Sequence, residues 1–176
     1  ALETLGTLVV AADDHGLVLV DASDPGAPMV VSTLGLEDSG AHLAAAGDRV
    51  FVAAIRPGRL HVVDVADPAA PRRLHTVAIP QQPGGIDFAE PATVVILNYG
   101  EDGDEVLTLD AAGNDPPRVA GRLAPGGQLS ALAVLGSTAW VARVGSGASA
   151  IEASPPETPR VGGELTLPAA RVSPSA

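Results

Sequence analysis

The chain has 176 residues, of which 46% are hydrophobic, and its formal net charge of −11 comes from 21 acidic and 10 basic side chains. Every basic residue is arginine, and the absence of lysine and cysteine excludes Schiff-base lysines, a P-loop lysine, thiolate nucleophiles, disulfides and cysteine-bound metals. The acidic charge disfavours nucleic acid as a partner. No run of eighteen apolar residues occurs, so membrane insertion is not expected.

One short phrase occurs four times: an apolar run that ends in an acidic residue and is followed seven positions later by a proline. The acids lie 43, 46 and 42 residues apart. A repeat of this length that contains only strand signals predicts stacked four-stranded antiparallel sheets around an axis, which is an all-β β-propeller. The acids are Asp21, Asp64, Asp110 and Glu152, and the prolines are Pro28, Pro71, Pro117 and Pro159.

In chain order, each repeat is predicted to run from an innermost strand of small residues, through two apolar strands, to an outer strand that the proline opens. We expect the innermost strands at 42–46, 86–89 and 129–133, with 1–5 as a shorter equivalent. The apolar strands are expected at 7–12, 17–22, 49–54, 60–65, 93–98, 106–110 and 138–143.

The whole chain, 1–176, is predicted to be one propeller domain or segment, because no linker-like change of composition divides it. The blades are placed at 1–40, 41–84, 85–127 and 128–168, and 169–176 forms a tail or the innermost strand of a further unit. Neither end supplies a clear cap, which leaves two alternatives. The four blades close into a ring, or they form part of a larger propeller that is completed by further blades or by a second copy.

The repeat resembles the LVIVD-repeat β-propellers of bacteria and archaea. The resemblance rests on Leu17 to Asp21 followed by Asp24-Pro25 and Pro28, and on Leu60 to Asp64 followed by Asp67-Pro68 and Pro71. It implies a surface or secreted repeat protein, hence an extracellular or cell-surface location. It also implies that the motif residues are architectural and not catalytic.

The repeated acids are interpreted as structural. Each stands at a strand end beside a turn, where an aspartate caps the turn by accepting backbone N–H groups. Symmetry-related positions on stacked blades are about 10 Å or more apart, which does not favour a carboxylate cluster. Asp21, Asp64, Asp110 and Glu152 are therefore predicted to be turn or cap residues.

The hairpin of the third unit carries the one acidic insertion, and Asp102, Asp104 and Glu105 are its candidate metal ligands. Clustered carboxylates suit Ca²⁺, and Asn98 could add a carbonyl oxygen. The spacing does not match an EF-hand, and a solvated hairpin tip is the competing interpretation. No other cofactor is predicted.

A second candidate site lies where the innermost strands begin. His42, Asp87 and Ser130 align there within one position, so they could face one mouth of a central channel. Propeller enzymes of the lactonase type place metal ligands or general bases at such a mouth. Trp140, by contrast, aligns with Phe51 and Val95 and is predicted to lie in the core.

The sequence thus favours a non-catalytic propeller module that binds another protein or joins a surface assembly, with a homodimer as one form of it. The alternative is a metal-dependent hydrolase that uses the channel around His42 and Asp87. No catalytic residue is assigned.

Overall fold

The chain forms sixteen β-strands and no helix in the computed structural model, which describes residues 1–13, 15–80 and 82–166. The all-β prediction is confirmed. Within these residues, nothing has the length and apolarity of a membrane-crossing helix. The predicted tail at 169–176 lies outside the described residues.

Each unit folds into one four-stranded antiparallel sheet whose strands follow chain order. The first sheet contains β1 (Leu2–Leu5), β2 (Leu8–Asp13), β3 (Gly16–Asp21) and β4 (Met29–Gly35). The second contains β5 (Ser39–Ala46), β6 (Arg49–Arg56), β7 (Arg59–Asp64) and β8 (Arg72–Ala78). The third contains β9 (Pro83–Ala89), β10 (Thr93–Asn98), β11 (Glu105–Asp110) and β12 (Arg118–Leu123), and the fourth β13 (Leu129–Leu135), β14 (Thr138–Arg143), β15 (Gly147–Glu152) and β16 (Arg160–Thr166).

The repetition extends to the strand register. In every sheet the third strand ends at the repeated acid, and its pairing with the outer strand shifts just before that acid. A bulge adds one unpaired residue and increases the local twist. The shifts fall at Leu19/Val20, Val62/Val63, Thr108/Leu109 and Ala150/Ile151.

The sheets stack face to face in chain order, and three apolar clusters fill the spaces between them. One cluster joins Val10 and Leu19 of the first sheet to Val50 of the second. The next joins the second sheet to the third, and the last joins the third to the fourth. We call the side of a sheet that packs on the next sheet its forward face, and the opposite side its backward face. Every internal interface pairs a forward face with a backward face.

The innermost strands contact one another in sequence, β1 with β5, β5 with β9 and β9 with β13. Among the described residues, β13 makes no comparable contact with β1. The four sheets are therefore successive blades around an axis, with two end faces that no blade of the described residues covers to the extent seen inside the stack.

Candidate functional site

The repeated acids hold the turns that follow them. Asp21, Asp64 and Asp110 each accept the backbone N–H of the residue two positions on, at 2.9, 3.0 and 3.0 Å. Glu152 differs because it accepts no such N–H group from the described residues; its carboxylate receives Arg160 at 2.7 Å, as Asp64 and Asp110 receive Arg72 and Arg118. The N–H bond from Ala66 and the pairing with Arg72 lower the pKa of Asp64. All four carboxylates act within their own units.

The turns also connect each blade to the one before it. Four residues after each acid stands a backbone carbonyl, which we call the turn carbonyl: that of Pro25, Pro68, Asn114 or Pro156. Three of these accept a side-chain hydrogen bond from the preceding sheet. The donors are Ser32 Oγ to Pro68 at 2.6 Å, His75 Nε2 to Asn114 at 2.8 Å, and Thr108 Oγ1 to Pro156 at 2.6 Å.

These three donors lie in equivalent rows, where a row is the set of residues that pair with one another across the four strands of one sheet. Ser32 and His75 stand eleven positions after the acids of their units, where the third unit has Gly121. The third unit uses Thr108 instead, which is the cross-strand partner of Gly121. The turn of the fourth unit lies directly over Gly121. The contact is so close that a Cβ at this position would overlap the Pro156 carbonyl oxygen. Turn docking is thus a recurring part of the interface between blades.

The acidic hairpin of the third unit uses its carboxylates for protein contacts. Asp104 Oδ2 accepts the backbone N–H of Leu129 in the fourth sheet at 2.7 Å. Glu105 receives Arg122 at 2.9 Å and the Asn98 amide at 3.2 Å, and Asp102 lies exposed in the hairpin. In the described part of the chain, no group of three or more His, Asp or Glu residues is placed to hold a metal ion.

The predicted channel residues lie at different levels of the innermost strands. Asp87 pairs with Val95, and the residue at the same level of β5 is Ala44, which pairs with Phe51. His42 is therefore two positions from the level of Asp87, and not one as predicted, a distance of about 7 Å along a strand. Ser130 falls at a register shift and contacts the carbonyl of Ala142 at 3.4 Å.

Asp87 itself connects two blades. Its carboxylate accepts the N–H groups of Phe88 at 2.8 Å and of Val134 in the fourth sheet at 2.7 Å. Burial, and then the charge of Asp87, raises the pKa of Glu3 on β1. Burial, and then the charge of the chain's amino terminus, lowers the pKa of His42. These groups therefore sit close to the axis, but the hydrogen bonds of Asp87 serve the stacking of blades.

A buried polar cluster between the first and second sheets was not predicted. Asp38, in the connection between these sheets, accepts His61 Nε2 at 2.7 Å and Arg59 at 3.1 Å. The His61 side chain is only 1% exposed, and its Nδ1 lies 3.0 Å from the hydroxyl of Thr76. Because a carboxylate can only accept, a neutral His61 donates from Nε2 and accepts from Thr76 at Nδ1. Every ring nitrogen is satisfied, which suits a role in fixing one blade against the next.

Stability should fall in mild acid because of His61. Burial lowers its pKa from the usual 6.5, against the opposite effect of Asp38. The unfolded chain then binds more protons than the folded chain below about pH 6.5. We expect the free energy of unfolding to be constant above that pH and to decrease as the pH falls through the lower, folded-state pKa. One group contributes at most about 1.4 kcal/mol per pH unit, and His42, with its pKa also lowered, adds in the same direction.

Urea unfolding measured between pH 5 and 8 checks this dependence. His61→Gln should flatten the slope, whereas His15→Gln, at a side chain 93% exposed, should leave it unchanged. An unaltered slope in His61→Gln would contradict the assignment.

The forward face of the fourth sheet is exposed. Trp140 occupies the position of Val10, Phe51 and Val95, which are 0%, 1% and 0% exposed, but Trp140 itself is 42% exposed. The prediction of a core tryptophan was therefore wrong, because no further sheet lies on this face in the described residues. Around it are Ala131, Ala133, Leu135, Ala142, Ala148, Ala150 and Leu165, of which Leu135 and Leu165 are 78% and 55% exposed.

The sheets, their order and the repeated turns define a β-propeller fold. The LVIVD repeat family matches residues 8–34 and 41–78, so the resemblance that the first two units carry is confirmed. No curated protein matches the chain significantly in sequence.

Solved structures with this fold are distant in sequence. A functionally unknown protein from Desulfotomaculum acetoxidans has a TM-score of 0.73 at 17% identity and is matched over 90% of this chain and 52% of its own. A protein from Lactobacillus plantarum has a TM-score of 0.73 at 15% identity, and the match covers 96% of this chain and 56% of that protein. BamB from Moraxella catarrhalis has a TM-score of 0.62 at 12% identity, and the match covers 81% of this chain and 40% of BamB. The chain thus spans about half the length of the structures it matches.

Proposed function

We propose that this chain is a non-catalytic β-propeller module whose exposed end faces bind protein. The observation that carries the proposal is the forward face of the fourth sheet, where Trp140 is exposed at a position that is buried in the other three sheets. Exposed apolar patches on a folded domain mark interaction sites, and tryptophan is enriched among residues that dominate binding energy.

The contacts of the polar residues support a structural role for them. Asp104 and Asp87 both accept backbone N–H groups of the fourth sheet. Glu105 is neutralised by Arg122. Asp104 and Asp87 thus join the third blade to the fourth, and Glu105 is paired within the third. A hydrolase would need such carboxylates free to bind a metal or move a proton. The extracellular or surface location stays a prediction that follows from the LVIVD resemblance.

A photo-crosslinking amino acid placed at position 140 tests the proposal in the native host. We expect irradiation to yield a covalent adduct with protein at this position. The matched control is position 74, because Leu74 is 38% exposed but lies on an outer strand of the second sheet. Equal adduct yields from the two positions, or none from position 140, would contradict a binding role of this face.

A further inference from the structure

We propose that the protein bound by this face is a second copy of the same chain. The forward face of the fourth sheet packs on the backward face of the first sheet of the partner, and the reciprocal contact closes one ring from two chains. This inference rests on the proposed function and assigns its binding partner.

The two end faces are of complementary type. Each of the three internal interfaces joins a forward face to a backward face. The faces left over in the described residues are one of each kind. The backward face of the first sheet carries Leu2, Val9, Ala11, Val18 and Val20, of which Leu2 is 64% exposed and the others are partly exposed. A twofold arrangement pairs both leftover faces and leaves neither apolar surface in water, as closed symmetry requires.

The turn carbonyls give a second, independent observation. The carbonyls of the second, third and fourth units each receive a donor from the preceding sheet. Among the described residues, the equivalent carbonyl of Pro25 receives no such donor, and no described sheet packs on the backward face of the first sheet. Of the four turn carbonyls in the described residues, it is the one left for a sheet of another chain.

The fourth sheet has room for that turn. A Cβ at Gly163 would meet nothing within 4 Å, whereas the equivalent Gly121 is covered by the turn of the fourth unit. The row that ends at Gly163 contains Ala133, Trp140 and Ala150. In this row the indole N–H of Trp140 is the one side-chain donor, as Ser32, His75 and Thr108 are donors in the rows before it. We therefore expect Trp140 to pack on the Pro25 turn and donate to it.

The lengths of the related structures agree with a ring of two chains. Three solved structures align with 90%, 96% and 81% of this chain but use only 52%, 56% and 40% of their own. In each of those structures, roughly half of the chain or more therefore lies outside the match. A second copy of this chain supplies a comparable length.

Sedimentation velocity of the 176-residue chain at increasing concentration tests the pairing. We expect a species of twice the 17.5 kDa chain mass that dissociates on dilution. Added salt should strengthen it, because each chain carries a charge of −11 and the faces that meet are apolar. Trp140→Glu should remain folded and become monomeric, and Leu74→Glu, which introduces the same charge at a similarly exposed site, should remain dimeric.

Mixing two variants separates this arrangement from other dimers. Val18→Glu, on the backward face of the first sheet, should also be monomeric. A mixture of Trp140→Glu with Val18→Glu should form a heterodimer, because the fourth sheet of one and the first sheet of the other are both unaltered. A dimer that survives Val18→Glu would show that two fourth sheets meet, which overturns the inference. A wild-type chain that is monomeric at every concentration overturns it too, and adducts of position 140 with a different protein would then leave the proposed function standing.

Discussion

Asp38→Ala is expected to lower the free energy of unfolding by about 3 kcal/mol, as when one partner of a buried hydrogen-bonded pair is removed. The side chains of Asp38 and His61 are 4% and 1% exposed and lie 2.7 Å apart. Without the carboxylate, the Nε2 hydrogen of His61 has no acceptor in the buried space between two sheets. Arg59, at 45% exposure, can still be solvated and contributes less.

Chemical unfolding of Asp38→Ala beside Asp48→Ala provides the comparison, since Asp48 is an exposed residue. The control should change by less than about 0.5 kcal/mol. The double variant Asp38→Ala/His61→Leu should lose less than the sum of the single losses, because the two side chains interact directly. Additive losses would show that the pair is not coupled and that the cluster does not hold the blades together.

Gly121→Ala is expected to destabilise the fold by about 2 kcal/mol, which is typical of overpacking at a rigid contact. The new methyl group would overlap the Pro156 carbonyl oxygen and would come within 2.7 Å of Thr108 Oγ1. Backbone cannot move away as a flexible side chain can. The turn of the fourth unit would have to withdraw from the third sheet.

Gly163→Ala is the matched control, because Gly163 stands at the same position of the next repeat with open space around its Cα. Its thermal midpoint, measured at a concentration low enough for the chain to be monomeric so that no partner turn lies over Gly163, should be unchanged or slightly raised. Equal destabilisation of the two variants would mean that the cost comes from the loss of glycine itself and not from turn docking.

Sequence repetition was sufficient to predict the fold because each repeated signal acts locally. The β-branched runs, the glycine-rich hairpins and the proline that opens the outer strand each determine one strand or turn. Equal spacing of Asp21, Asp64, Asp110 and Glu152 then places the same strand in every unit. The predicted apolar strands all appear, with ends that differ by only a few residues.

The contacts between units could not be predicted in the same way. Asp38 and His61 are separated by 23 residues in the sequence. The other repeats have no such pair at the equivalent positions, so no repeated pattern marks it. A buried histidine next to an acidic connection gives no periodic signal. The exposure of Trp140 depends on whether a further sheet follows, which its own strand does not encode.

Quenching of Trp140 fluorescence measures the central claim most directly, because Trp140 is the only tryptophan in the chain. If the four blades form an open arc with a binding face, acrylamide should quench the dilute chain strongly, and quenching should weaken as the concentration rises. Strong protection of Trp140 at every concentration, in a species that sediments as a monomer, would mean that the same chain covers the fourth sheet and would contradict an exposed binding face.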